Sequence, residues 1–457
     1  MNLPRLCLIP LAALMMVACG ETAKLPFEAG VGPNPQLPAP NKTLIPTLKI
    51  AEASGWTDTA GPTAASGFKV VALARGLDHP RWVYTLPNGD VLVVESNKPP
   101  KEPGAPQAEK GLFDKAKGVV QGLVMKRAGA EVPSANRITL LRDANNDGVA
   151  ETRSVFLSNL MSPFGMALVG DRLYVANANA VMSFPYQTGD TAISAPGTKL
   201  TDLPAQRNHH WTKSLVASAD GSKLYVGVGS NSNVAENGLE EETNRANILE
   251  IDRLTGASRV YAAGLRNPVG LAWQPQSGQL WVAVNERDEI GNDLVPDYMT
   301  SVTPGAFYGW PWSYYGQNVD TRVKPANDAM VQKAIKPDYA VGAHTASLGL
   351  TFYDGQSFPA AYRGGAFVGQ HGSWNRTPPA GYKVIFVPFA NGRPNGAPQD
   401  ILTGFLNAAG EAQGRPIGVQ TDSTGALLVA DDVGNVIWRV TSTTTAPAPV
   451  PVQTPGR

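Results

Sequence analysis

The feature that most constrains this chain is a loose pattern that recurs along it. A turn with Pro or Gly leads into a short apolar run, then a second turn, then an alternating apolar strand. HPRWVYTLPNGDVLVVES, from His79, is the first copy, and SPFGMALVGDRLYVAN, from Ser162, is the second. HWTKSLVASADGSKLYVGVGS follows from His210 and NPVGLAWQPQSGQLWVAVNE from Asn267. SLGLTFYDGQSFPAAYRGGAFVGQ, from Ser347, and RPIGVQTDSTGALLVADD, from Arg415, complete the series. Asn88-Gly89, Asp220-Gly221, Ser277-Gly278 and Thr424-Gly425 stand between paired apolar runs, where β-hairpin turns belong. Six copies, each with room for about four strands, predict an all-β fold: a six-bladed β-propeller with loop insertions over 47–441. Composition agrees, with 47 Gly, 38 Pro and only 17% charged residues among 457. Basic and acidic residues balance at 38 each, so no net field directs the chain to nucleic acid.

The flanks read differently. Arg5 precedes an apolar run, Leu6 to Val17, that is too short to span a bilayer, so 1–18 is expected to be a signal peptide. Met16-Val17-Ala18-Cys19 resembles a bacterial lipobox, and cleavage there leaves an exported protein lipid-anchored at Cys19, on the periplasmic or outer-membrane face. The alternative is an ordinary secretory signal with an incidental cysteine. Cys7 leaves with the signal in either case, so no internal disulfide is expected. Residues 19–46 read as a Pro-rich tether and 442–457 as a disordered tail. An insertion from Lys98 to Arg137 carries Leu112, Phe113, Ala116, Val119, Val120, Leu123 and Val124 at helical spacing. It suits a helix on the propeller rim or, with its lysines, one on a membrane surface.

Residues suited to chemistry concentrate between Gly264 and Asp297. Arg266-Asn267 sets a cation beside an amide, which suits an anion. After the strand Leu280 to Val284 comes a loop with Glu286, Asp288, Glu289, Asp293 and Asp297, oxygen donors of the kind calcium prefers. The other reading is a surface loop with internal Arg–Asp pairs. DANNDGVAE, Asp143 to Glu151, matches half a calcium loop but has Ser154 where the closing Glu belongs, and a hairpin turn is the plainer reading. Five histidines occur: His79, His209, His210, His344 and His371. His209-His210-Trp211 opens a repeat and suits a general base, although structural histidines are commoner. Arg376 and Lys383 add cations that a propeller is expected to converge with Arg266 on one channel. Tyr308, Trp310, Trp312, Tyr314 and Tyr315 offer flat surface for stacking or for a core.

Together GLRNPVGLAW, NERDEIGNDLVPDY, FYGWPWSYYG, HTASLGLTFY, GQHGSWNR with GYKVIFVPF, and GRPIGV with LLVADD resemble the L-sorbosone dehydrogenase branch of the soluble glucose/sorbosone dehydrogenase family. The resemblance covers roughly Gly67 to Val440. It implies a six-bladed propeller that binds pyrroloquinoline quinone and Ca2+ at the channel mouth and oxidises a sugar, aldose or sugar aldehyde. It implies His210 as general base, with His209 as fallback, and Arg266, Asn267, Arg376 and Lys383 against the quinone. It also implies metal ligation by loop carbonyls around Glu286 and Arg287, supported by Asp288 and Tyr308, although the family's Gly-Pro is absent here. A small sugar or polyol as substrate, and a cytochrome or quinone as electron acceptor, follow as expected partners. Two other function classes remain: a calcium-dependent lactonase-type hydrolase and a non-catalytic binding propeller.

Overall fold

A computed structural model describes residues 21–41, 47–100 and 131–443, with positions 122 and 126–129 between them. The expected signal peptide, Cys19, the helical-spacing residues Leu112 to Val124 and the chain after 443 lie outside the described residues. Among the described residues, six sheets of four or five strands form a closed ring, beside two small two-stranded sheets, and the all-β propeller expectation holds.

Blade one comprises Pro80–Thr85, Val91–Glu95, Arg137–Arg142 and Thr152–Leu157. Blade two runs from Gly165–Val169 to Thr198–Asp202, and blade three from Lys213–Ala217 to Ser258–Ala263. Blade four starts at Pro268–Trp273 and continues through Leu280–Val284, Pro296–Val302 and Tyr339–Ala343. Blade five starts at Ser347–Phe352 and includes Ala366–Gln370, Lys383–Val387 and Gln399–Thr403. Blade six takes Pro416–Thr421, Leu427–Asp431 and Val436–Ser442, and its outer strand is Phe68–Ala74 from the other end of the chain. That pairing closes the ring and takes in Ser442, one residue past the expected end of the domain at 441.

The second strands of blades one, four and six, Val91–Glu95, Leu280–Val284 and Leu427–Asp431, are buried along their whole length. Each sheet is covered on both faces by its neighbours, which explains runs of continuous rather than alternating hydrophobicity. The inner strands approach closely enough that Gly349 has no room for a side chain, since a Cβ there would strike the carbonyl of Ile417 in the next blade. Gly270 meets the backbone of Leu350 in the same way. The small residue in NPVGLAW and SLGLTF therefore sets the blade-to-blade distance.

The Pro-rich stretch is not a free tether. Val31–Gly32 adds a fifth strand to blade four against Tyr339–Ala343, and Thr63–Ala64 does the same for blade five. Lys24 and Leu25 donate backbone N–H groups to Asp293, and Phe27 fills the space over Gly342. Extended, Pro-rich backbone suits addition to a sheet edge, and here it covers the edge of blade four.

Candidate functional site at one end of the channel

In every blade the first and second strands are antiparallel, so the start of one lies beside the end of the other. Pro80 pairs with Glu95, Lys213 with Val228, Pro268 with Val284, Ser347 with Gln370 and Pro416 with Asp431. Residues just before a first strand or just after a second strand therefore gather at one end of the channel. All five histidines are in such positions or lead into one, as are Arg266, Asn267, Asp288, Arg415 and Asp432. A cavity of about 860 Å³ opens at the other end, among the hairpin turns, lined by Tyr84, Trp273 and Phe352 among others and by none of the histidines.

His210 is held by its backbone surroundings. Its Nδ1 lies 3.0 Å from the carbonyl oxygen of Ser230 and 3.0 Å from that residue's Oγ, which itself donates to the carbonyl of Ser232. A carbonyl only accepts, so Nδ1 carries the proton and Nε2 keeps a free lone pair. Burial first, then the charge of Arg266 and the neighbouring His209, hold the imidazole well below its ordinary pKa. His209 stacks edge-on, 4.5 Å from it, and is the more exposed of the two.

Arg266 is 1% exposed, and its donors are all engaged. Nη1 donates to the Glu286 carbonyl at 2.5 Å and lies 3.4 Å from that of Asn285. Nη2 donates to Asp288 Oδ2 and Asn233 Oδ1, each at 2.9 Å, and Nε to the Asn233 carbonyl at 3.3 Å. Asp288 Oδ1 accepts from Asn375 at 2.9 Å and faces His344 Nδ1 at 3.3 Å. Burial pushes the Asp288 carboxyl up, but Arg266, His344 and Asn375 outweigh it and hold it at about 2. Asn267, beside Arg266, is buried with Oδ1 unpartnered.

A second centre forms around Asp432, which receives Arg81 Nη1, His371 Nε2 at 2.8 Å and His79 Nε2 at 3.5 Å. Burial raises its pKa, and those three groups together bring it far below the carboxylate range. Arg81 lies over the Trp211 ring across the channel, and Arg415 over Tyr382. The Nε atoms of Arg81 and Arg415 are buried without partners. Two guanidiniums with unengaged donors against one carboxylate make this rim attractive to an anion. The rim and the Asn267 acceptor fit a flat cofactor that bears carboxylates.

The other expected site residues go elsewhere. Arg376 is bound to the Asn292 and Pro378 carbonyls and to Asp293, and Lys383 to Asp400. Both cations face the Phe27 ring at 5.7 and 5.6 Å. The expected convergence with Arg266 is thus replaced by a clamp on the N-terminal segment. Tyr308 gives its hydroxyl to the Ser301 carbonyl at 2.6 Å; the aromatic residue that reaches the site is Trp310, whose Nε1 donates to the Asn233 carbonyl. Arg287 is fully buried between Glu286, Asp320 and the Pro311 and Ser313 carbonyls.

Most of the loop oxygens expected to serve calcium, which takes six to eight, are already engaged by protein donors. The Glu286 carbonyl and Asp288 Oδ2 are held by Arg266, and the Asp288 carbonyl by Arg322 at 2.8 Å. Asp293 accepts from Lys24, Leu25 and Arg376, and Asp297 from Glu286, Ser347 and Thr345. Glu286 Oε1 is buried and unpartnered, but one oxygen is no coordination shell. The Asp143, Asp147 and Glu151 carboxylates do come within 4.8 Å of one another. They sit on the turn after Arg137–Arg142, away from the histidines, and accept from their own loop's backbone.

The sequence did not single out Asn233, Asn375 or Asp432, whereas Trp310 was among the aromatic residues offered for stacking. Asp432 left one trace, a pair of carboxylates at the end of an apolar strand. Asn233 and Asn375 left none.

The family described as Domain of unknown function (DUF7133) matches residues 67–373, and a model described as TrAA12-like matches 313–443. An uncharacterized protein of Borreliella burgdorferi is 32% identical over 305 residues, covering 64% of this chain and 79% of that protein. A pyrroloquinoline quinone-dependent pyranose dehydrogenase of Coprinopsis cinerea is 23% identical over 370 residues, 71% of this chain and 44% of that one. The chain thus spans less than half the length of the pyranose dehydrogenase. The holo form of the pyranose dehydrogenase PQQ domain from Coprinopsis cinerea superposes with a TM-score of 0.64 at 20% identity, covering 86% of this chain and all of that one (100%).

Proposed function

The chain belongs to the family described as Domain of unknown function (DUF7133), and from that membership and the shared propeller we propose a sugar dehydrogenase that uses pyrroloquinoline quinone. The observation that carries this reading is His210, with Nδ1 fixed on the Ser230 carbonyl and Nε2 left as a base at the anion-attracting end of the channel. Arg81 and Arg415 would hold carboxylates of the cofactor through their unengaged Nε atoms, and Asn267 Oδ1 would accept from its ring. When bound, the quinone supplies the two-electron oxidant for the carbon–hydrogen bond of a hydroxyl-bearing carbon. His210 Nε2 takes the hydroxyl proton as the hydride leaves, and Ser230 keeps the imidazole in the tautomer that can do so. Burial and Arg266 keep that base neutral.

The expected calcium is left out of this reading because Arg266 holds the Glu286 carbonyl and Asp288, two of the oxygens expected around it. Export, anchoring through Cys19, the sorbosone branch and a cytochrome or quinone as acceptor stand as parts of the proposal that the site does not bear on.

The test is to mix the purified full chain with pyrroloquinoline quinone and follow dye reduction across a panel of sugars. Saturable binding with turnover is expected. His210→Ala is expected to lower kcat by about 10²- to 10⁴-fold with the quinone still bound. Absence of saturable binding sinks the proposal, and binding without turnover on any sugar points to a non-catalytic propeller.

A further inference from the structure

We propose that the Arg266 guanidinium is the resident cation of this site, occupying the oxygens a divalent metal would take, so that cofactor binding does not depend on calcium. The inference rests on the quinone reading above. Arg266 directs five donors at oxygens of two loops: the Glu286 and Asn285 carbonyls, Asp288 Oδ2, Asn233 Oδ1 and the Asn233 carbonyl. That oxygen-rich set, with one carboxylate, is what a hard cation recognises. A planar cation with a rigid fork satisfies it equally well.

Charge bookkeeping supports the assignment. Three guanidiniums, Arg266, Arg287 and Arg322, face three carboxylates, Glu286, Asp288 and Asp320, through ion pairs of 2.6 to 3.1 Å. These six charges balance one another, and His344 lies against the same Asp288 at 3.3 Å. A divalent ion entering it would displace a guanidinium that is 1% exposed and leave that charge buried beside two more positive charges. The sequence is consistent with this at one point: Asn285-Glu286-Arg287 stands where the resembled family has its Gly-Pro. The last of these three, Arg287, is locked behind the loop by Pro311, Ser313 and Asp320.

The experiment titrates pyrroloquinoline quinone into the full chain by tryptophan fluorescence, once after EDTA and dialysis and once with added calcium. The two affinities are expected to agree within about 3-fold, well under the tenfold that one firm ionic contact supplies. A calcium-dependent gain of about tenfold or more overturns the inference and leaves the dehydrogenase reading standing. No binding in either condition removes both. Arg266→Gln, checked for folding by its melting curve, is expected to weaken the EDTA-treated affinity by about tenfold and to recover part of it with calcium, because the Glu286 and Asp288 oxygens are then free. Loss that calcium does not relieve would mean that those oxygens form no cation site, which also overturns the inference. If the variant does not fold, the wild-type titration decides alone.

Discussion

The base of His210 is set by what its other nitrogen touches. A backbone carbonyl cannot donate, so the proton stays on Nδ1 whatever the side chains around it do. Burial and Arg266 then depress the pKa, which fixes the sign of two effects. The acid limb of kcat/KM should fall below pH 6.5, the ordinary histidine value, and a profile with its limb at or above that value would contradict the structure. Stability moves with it. The unfolded chain takes up a proton at His210 near pH 6.5 and the folded chain does not, so this stabilisation is full above 6.5 and is lost as pH falls towards the folded pKa. Asp432 shows the opposite environment, a carboxylate held by Arg81, His371 and His79. Asp432→Asn leaves the buried Arg81 unpaired and should cost about 3–5 kcal/mol of stability, read from denaturant melts. His210 was legible because it opens a repeat. Its neighbours Asn233 and Asn375 were not, since nothing in a loop sequence states which distant carboxylate or guanidinium it will meet.

Single elements carry more than their composition suggests. The stretch after Glu21 looked like spacer because Pro and small residues offer no periodic apolar face, yet its one aromatic side chain decides its fate. Phe27 sits over Gly342 between Arg376 and Lys383, and the following Val31–Gly32 pairs with blade four. Phe27→Ala should release this segment. The expected result is loss of amide protection at Val31 and Gly32 and a stability loss of about 1–2 kcal/mol, less than for a fully buried Phe because Phe27 is half-buried. The loop from Asn285 to Asp297 is the converse case. Its carboxylates suggested a metal site, and Arg287, Arg266 and Arg376 pair instead with Glu286, Asp288 and Asp293.

At the scale of the whole molecule, the ring is closed by one pairing between distant parts of the chain, Phe68–Ala74 against Val436–Ser442. Arg81 with Asp432 adds a buried ion pair between blade one and blade six. A chain ending at residue 435 would lose the third strand of blade six and leave Phe68–Ala74 without a partner. Such a truncation should abolish the single cooperative unfolding transition, whereas one ending at residue 443 should keep it, as calorimetry would show.

The sequence by itself determined the blades. Strand periodicity and hairpin turns are local, so apolar runs, with Asn88-Gly89 and its counterparts between them, mark the units wherever they lie. It also placed His210, because a residue just before an inner strand must lie at one end of the ring. Only the tertiary structure decided which charges meet. Arg266, Asp288, Asn233, His344 and Asn375 come from separate loops, and their partnership depends on how blades three, four and five are rotated about the channel. The same ring geometry sent Arg376 and Lys383 to the N-terminal segment instead of the channel. Electrostatic pairing acts through a few ångströms of space, and spacing along the chain carries almost no record of it.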